Sequence, residues 1–281
     1  MREAGESARG LPGVVSSRNS PSPTGRVTLF DANVLLGPQP RQPPGAPENM
    51  PALLATMDEF GISRALVAHT YAKWHDPAEG NARLMRELAG EPRLASCWIV
   101  LPAVTGEVPP EPDQVARLLD AGARAARLCP AAHRLSLEPW EIDPLLVALA
   151  TFRVPLLLDC DNVHWGEARP WRFIEYAARA YPDLPLVLLR ESQASLRTLL
   201  ALLERCPNVI VETSYFQAHD GIALLAERFG AHRLVFGTGL PVFDPGLPVA
   251  GLLYAGLPPE ALAAVAGGTL EQLLAGVGAP G

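Results

Sequence analysis

The sequence predicts a single-domain (β/α)8 barrel, and three observations carry that expectation. Short apolar runs alternate with helical stretches eight times over about 250 residues, the arithmetic of this fold. Most runs are apolar on both parities, as parallel strands covered on both faces must be. No GxGxxG or GxxxxGK[ST] loop follows the first run, which removes the usual dinucleotide and nucleotide-phosphate readings. A doubly wound sheet is the structural alternative; the eight-fold count and even spacing favour closure.

The strands are expected at 27–33, 64–69, 95–101, 124–129, 154–160, 185–190, 208–213 and 233–238. Apolar residues at i, i+3 and i+4 place helices over 50–60, 79–89, 112–121, 141–152, 170–181, 193–206 and 218–229, with a last helical stretch over 258–274. Gly61, Gly122 and Gly230 follow three of these helices, where a C′ glycine belongs. Residues 1–25 are polar and read as a disordered tail, leaving 26–281 for the barrel.

Composition narrows the function classes. The chain is 48% apolar and 19% charged, so it can bury a sizeable core. Its net charge of -7 gives no overall pull toward nucleic acid or an anionic membrane surface. No apolar run is long enough to span a bilayer, and the first residues lack a signal peptide's apolar stretch. Cys97, Cys129, Cys160 and Cys206 are widely spaced and read as buried thiols in a reducing cytoplasm. All of the 23 basic residues are arginine except Lys73.

In such a barrel the chemistry sits at the C-terminal ends of the strands. Those ends carry Asp31 and Asn33 (strand one), His69 (two), Arg127 (four), Asp159 and Asp161 (five), Arg190 and Glu191 (six), Glu212 and Ser214 (seven), and Thr238 and Gly239 (eight).

With these ends the sequence resembles the amidohydrolase superfamily, in particular its amidohydrolase-related branch of metal-dependent hydrolases and decarboxylases. The matching segments are LFDANVLLG, ARAARLCP, RVPLLLDCD, YPDLPLVLLRES, CPNVIVETS and HRLVFGTGLPVFDP, the last similar to the family's FGTDxP signature. The resemblance implies a His-x-His pair after strand one, a His after strand five, another after strand six, and a metal-bound Asp general base after strand eight. Here those positions hold Asn33 and Leu35, Asp159, Arg190, and Gly239. Leu35 and Gly239 offer no donor, Arg190 repels a divalent ion, and one carboxylate is not a metal site. No cofactor is expected.

Asp31 shares the parity of Asn33 and Leu35 and is expected to point inward. An ion-pair network of Asp31, Asp159, Arg127 and Arg190 is therefore expected where the metal would be, since buried charges must be paired. Asp159, Arg190 and His69 are the catalytic candidates. Arg127, Asp31, Asn33, His164 and Trp165 are the substrate-binding candidates, the last two in a loop placed to cap the pocket. A structural imidazole is the plainer reading of His69, and loop packing that of His164 and Trp165. A metal site rebuilt from Asp159, Asp161, His164, Glu191 and Glu212 faces mixed parities. A Ser214, His69, Asp31 triad lacks a GxSxG elbow.

Three function classes follow. The first is a pseudoenzyme or metal-independent small-molecule binder. The second is a divergent hydrolase or lyase using Asp159 and Arg190 on a small carboxylate, which paired arginines bind well. The third is a metallohydrolase with new ligands. Homodimerisation rests on the resemblance alone.

Overall fold

The computed structural model describes residues 27–41, 43–160 and 169–278 of the 281-residue chain. The expected tail at 1–25, along with Asp161, His164 and Trp165, lies outside the described residues. Eight parallel strands hydrogen-bond in chain order. They are β1 (Leu29–Leu36), β2 (Ile62–His69), β3 (Leu94–Ile99), β4 (Ala125–Leu128), β5 (Leu156–Leu158), β6 (Leu186–Leu188), β7 (Val209–Glu212) and β8 (Leu234–Val235). The last strand ends early, but its extension closes the barrel onto β1. Ala32 N–H donates to the Phe236 carbonyl at 2.9 Å, Gly239 N–H to Asn33 at 3.0 Å, and Leu35 N–H to Leu240 at 2.9 Å.

The helices between the strands are α1 (Met50–Glu59), α2 (Thr70–Trp74), α3 (Pro77–Glu87), α4 (Glu111–Asp120), α5 (Pro130–His133) and α6 (Pro139–Thr151). They continue with α7 (Trp171–Ala180), α8 (Leu196–Arg205), α9 (Gly221–Phe229), α10 (Gly246–Leu253), α11 (Pro259–Ala263) and α12 (Thr269–Ala275). Local chemistry sets two of the starts. Asn49 accepts from Ala52 N–H ahead of α1, and Asp76 accepts from Glu79 N–H ahead of α3, each with proline in the first turn. The last helical stretch is broken by a π-helical turn at Ala264–Gly268. Among the described residues no helix is long and apolar enough to cross a membrane.

Two apolar layers follow from strand alternation. One lies between strands and helices and includes Val67, Leu128, Leu158, Leu188 and Val211. The other fills the barrel with Phe30, Leu66, Ile99, Leu157, Val187 and Ile210, floored by Leu270 of α12. This interior is a packed core, so chemistry is confined to its two ends. β1 departs from simple alternation: Phe30 and Ala32 face inward and then Leu35 does, across a register shift between Asp31 and Val34. All four cysteines are buried.

Candidate functional site

At the C-terminal end of β5, Asp159 is fully buried and gathers three cations. Lys73 Nζ lies 3.0 Å from Oδ2, Arg127 Nε donates to the same oxygen at 2.9 Å with Nη2 beside it, and Arg190 Nη2 donates to Oδ1. Lys73, Arg127 and Arg190 are each 3% exposed or less. Burial opposes the ionised carboxyl, but the Arg127, Arg190 and Lys73 charges overcome it and hold Asp159 well below the usual carboxylate range. Burial likewise opposes the Arg127 charge, and Asp159 more than restores it.

Each partner arrives by a different route. Arg127 points inward by alternation in β4, between inward Ala125 and Cys129. Lys73 comes from α2, whose close approach to α3 depends on Gly80; a Cβ there would sit 2.2 Å from the Ala72 nitrogen. Arg190 follows inward-facing Leu189, so alternation alone would send it outward. Its backbone takes φ 54° instead, a left-handed conformation that turns the side chain back to Asp159. That turn is pinned on both sides: Arg190 N–H donates to Glu212 Oε2 at 3.0 Å, and its carbonyl accepts from Arg169 Nη2 at 2.7 Å.

Glu212 is a second, fully buried hub with different partners. It accepts from Asn33 Nδ2 at 3.0 Å and Ser214 Oγ at 2.9 Å, as well as from backbone N–H groups. Burial raises its carboxyl above the ordinary value. Glu191 lies 3.1 Å from Arg169 Nε and accepts from Ser195 Oγ at 2.8 Å.

Asp31 corrects the expected network. It bonds no arginine; it accepts from Asn33 N–H and Thr238 N–H, each at 2.9 Å, and from the Thr238 hydroxyl. The β1 irregularity is the reason: Asp31 braces the seam between β1 and the end of β8 instead of facing the mouth. Burial pushes its carboxyl up to about 6. Asn33 reaches Glu212 rather than a cation.

His69 is 4% exposed, and none of its recorded bonds reaches the Asp159 cluster. Its Nδ1 accepts from Tyr71 N–H at 3.0 Å, capping α2, which places the ring proton on Nε2, 3.5 Å from Glu87. Burial lowers its pKa, against the pull of Glu87. Ser214, His69 and Asp31 each bond elsewhere, so no triad is assembled. Among the described residues no group of three His, Cys, Asp or Glu is placed to hold a metal ion.

The positions at which the family resemblance implies metal ligands do not fit a divalent ion. Leu35 belongs to the apolar interior, Asp159 is engaged by three cations, and Arg190 is itself a cation. Gly239 adopts φ 75°, and a Cβ there would lie 2.6 Å from Phe243 Cδ2, so the position is shaped for glycine and not for an acid.

Sequence reasoning brought Asp159, Arg127 and Arg190 together but missed Lys73, Glu212 as a scaffold and Arg169. The signal for Lys73 was present: a lone lysine among arginines, four residues after His69.

Comparison with known proteins agrees with the architecture. The family described as Amidohydrolase matches residues 33–274. No curated protein is detectably similar in sequence. An uncharacterized TIM-barrel protein from Bordetella bronchiseptica is 18% identical over 90% of this chain and 100% of its own, with a TM-score of 0.70. 5-Carboxyvanillate decarboxylase LigW from Sphingomonas paucimobilis is 14% identical over 89% of this chain and 99% of its own, with a TM-score of 0.66. LigW2 from Novosphingobium aromaticivorans, a 5-carboxyvanillate decarboxylase with bound manganese, is 13% identical over 89% and 97%, with a TM-score of 0.68. At these identities the likeness establishes the fold.

Proposed function

The chain belongs to the amidohydrolase family, and on that premise we propose that it is a metal-independent, non-hydrolytic member. Its barrel mouth binds a small carboxylate-bearing molecule with fixed cations in place of a divalent ion. One observation carries this reading: Lys73, Arg127 and Arg190 converge on Asp159 at the strand ends. A guanidinium is always charged and presents its N–H groups in a planar fork that matches a carboxylate. Arg127 spends Nε and Nη2 on Asp159, which leaves Nη1 for a ligand oxygen. The name 5-carboxyvanillate decarboxylase also describes an enzyme that acts on a carboxylate.

A divergent hydrolase or lyase is the second reading, and the site supports it less. Asp159 is held so firmly ionised that it is a weak proton acceptor near neutral pH. His69 spends Nδ1 on a helix cap. Elemental analysis together with thermal shift tests the proposal. The purified protein is expected to carry substoichiometric zinc and manganese, to be stabilised by benzoate, and to ignore benzamide, which has the same ring without the charge. Stoichiometric metal, or equal stabilisation by both compounds, overturns it.

A further inference from the structure

A cavity of about 290 Å³ opens at the opposite, N-terminal end of the barrel, between α12 and the loops entering β5 to β8. That end of the fold ordinarily serves stability, so the family's chemistry does not account for a pocket there. Arg233 lines it while only 6% exposed. Its Nε donates to the Val209 carbonyl at 2.7 Å, and Nη2 donates to Cys206 at 2.7 Å and Leu203 at 3.3 Å. Nη1 enters no recorded bond, and among the described residues no carboxylate pairs with this buried cation. Burial lowers the basicity of Arg233, opposed only by Cys206.

Two further features give the cavity polarity. Arg153, exposed at its rim, holds φ 52° just past the end of α6. Gly61 and Gly122 fill the corresponding left-handed positions after α1 and α4. At α6 the chain carries a guanidinium where glycine would be unstrained. Asn208 Nδ2 donates to the Tyr181 and Leu184 carbonyls at 3.0 and 2.9 Å, which fixes the amide orientation. Its Oδ1 is buried and has no partner. Asp183 stands at the same rim, so the cavity presents cations and acceptors together.

We propose that this cavity binds a small α-amino acid with an apolar side chain. The carboxylate meets Arg233 Nη1 and Arg153, the ammonium meets Asn208 Oδ1 and Asp183, and the side chain lies against Pro185, Ile210 and Leu273. The volume sits at the small end of ligand pockets, the right scale for one amino acid. Calorimetry with L-leucine, L-valine and L-methionine tests it, with 4-methylpentanoate and 3-methylbutylamine as leucine analogues lacking one charged group each. At least one amino acid is expected to bind. For leucine, each truncated analogue is expected to bind at least about tenfold more weakly, since it loses both contacts of one charged group. Arg153→Ala and Asp183→Asn change exposed side chains, so both variants keep the fold, and each is expected to weaken amino-acid binding by a similar factor. No binding by any of the three amino acids overturns the proposal. So does undiminished binding in both variants, or 4-methylpentanoate binding as tightly as leucine.

Discussion

Asp159→Asn is the sharpest test of the mouth. The substitution keeps shape and removes charge, leaving Lys73, Arg127 and Arg190 buried around a neutral amide. All three are 3% exposed or less, so solvent makes up little of the lost carboxylate. Removing one member of a buried ion pair costs about 3–5 kcal/mol. For a domain of this size each kcal/mol shifts the melting temperature by about 2–4 °C, so a fall of about 6–20 °C is expected. Urea unfolding should show the same loss as a lower midpoint with an unchanged slope. Replacing all four residues by apolar ones of similar volume should recover most of the loss, because a well-packed apolar cluster has no charge to compensate. A loss under about 1 kcal/mol in Asp159→Asn, the range of exposed pairs, would refute the view that this carboxylate is the main counter-charge of the site.

Other outcomes follow from the same geometry. Asp31 sits at about 6 in the fold against 3.8 ordinarily, so the folded chain keeps a proton that the unfolded chain releases. Its contribution to stability therefore falls by about 3 kcal/mol as pH rises across that window and levels off above it. An NMR titration should place the Asp31 midpoint near the upper value, and Asp31→Asn should remove the slope. Asp159 acts with the opposite sign: its contribution is present above 3.8 and is lost as pH falls through its lowered folded value, which acid unfolding monitored by circular dichroism will show. Gly239→Asp places a side chain at φ 75° and 2.6 Å from Phe243, so it should destabilise by about 1–3 kcal/mol without conferring zinc binding, checked by melting and dialysis. Gly80→Ala drives a methyl into the backbone of α2 and should cost about 1–3 kcal/mol while weakening benzoate stabilisation through Lys73, a double readout that mere loosening of α3 would not give.

Much of the architecture was legible because it rests on burial. Strands covered on both faces must be apolar throughout, and helices such as α8 must turn one apolar stripe inward, so their order could be counted. The boundaries erred where apolar sequence outruns the hydrogen-bonded ladder: the expected strand 154–160 is β5, Leu156–Leu158, and 185–190 is β6, Leu186–Leu188. Short helices escaped for lack of periodicity. α2 is five residues long behind a histidine cap, and α10 carries an internal proline and glycine that read as breakers. The expected helix at 79–89 begins earlier, at Pro77, because Asp76 caps it. Within the site, alternation placed Asp159 and Arg127, but Asp31 and Arg190 depend on backbone irregularities, a β1 register shift and a left-handed turn, that leave no periodic trace.

Two of the departures from the resembled ligand set, at positions 190 and 239, bear on one another. A divalent ion in a barrel mouth carries two charges and keeps an open position, so it can bind a water and lower that water's pKa. A guanidinium carries one charge, cannot be deprotonated, and holds acceptors without activating a nucleophile. Arg190 occupies its place because Glu212 and Arg169 grip its backbone, so the charge is fixed in direction as well as in sign. Position 239, where the resemblance implies a general base, is shaped for glycine. Loss of the base alone would leave an ion able to bind water but poorly placed to use it, and gain of Arg190 alone would leave a carboxylate beside a guanidinium with no proton to move. On the proposed function, together they leave a preorganised set of donors around Asp159 that would hold an anion in one orientation, and that is the property on which benzoate and benzamide should differ.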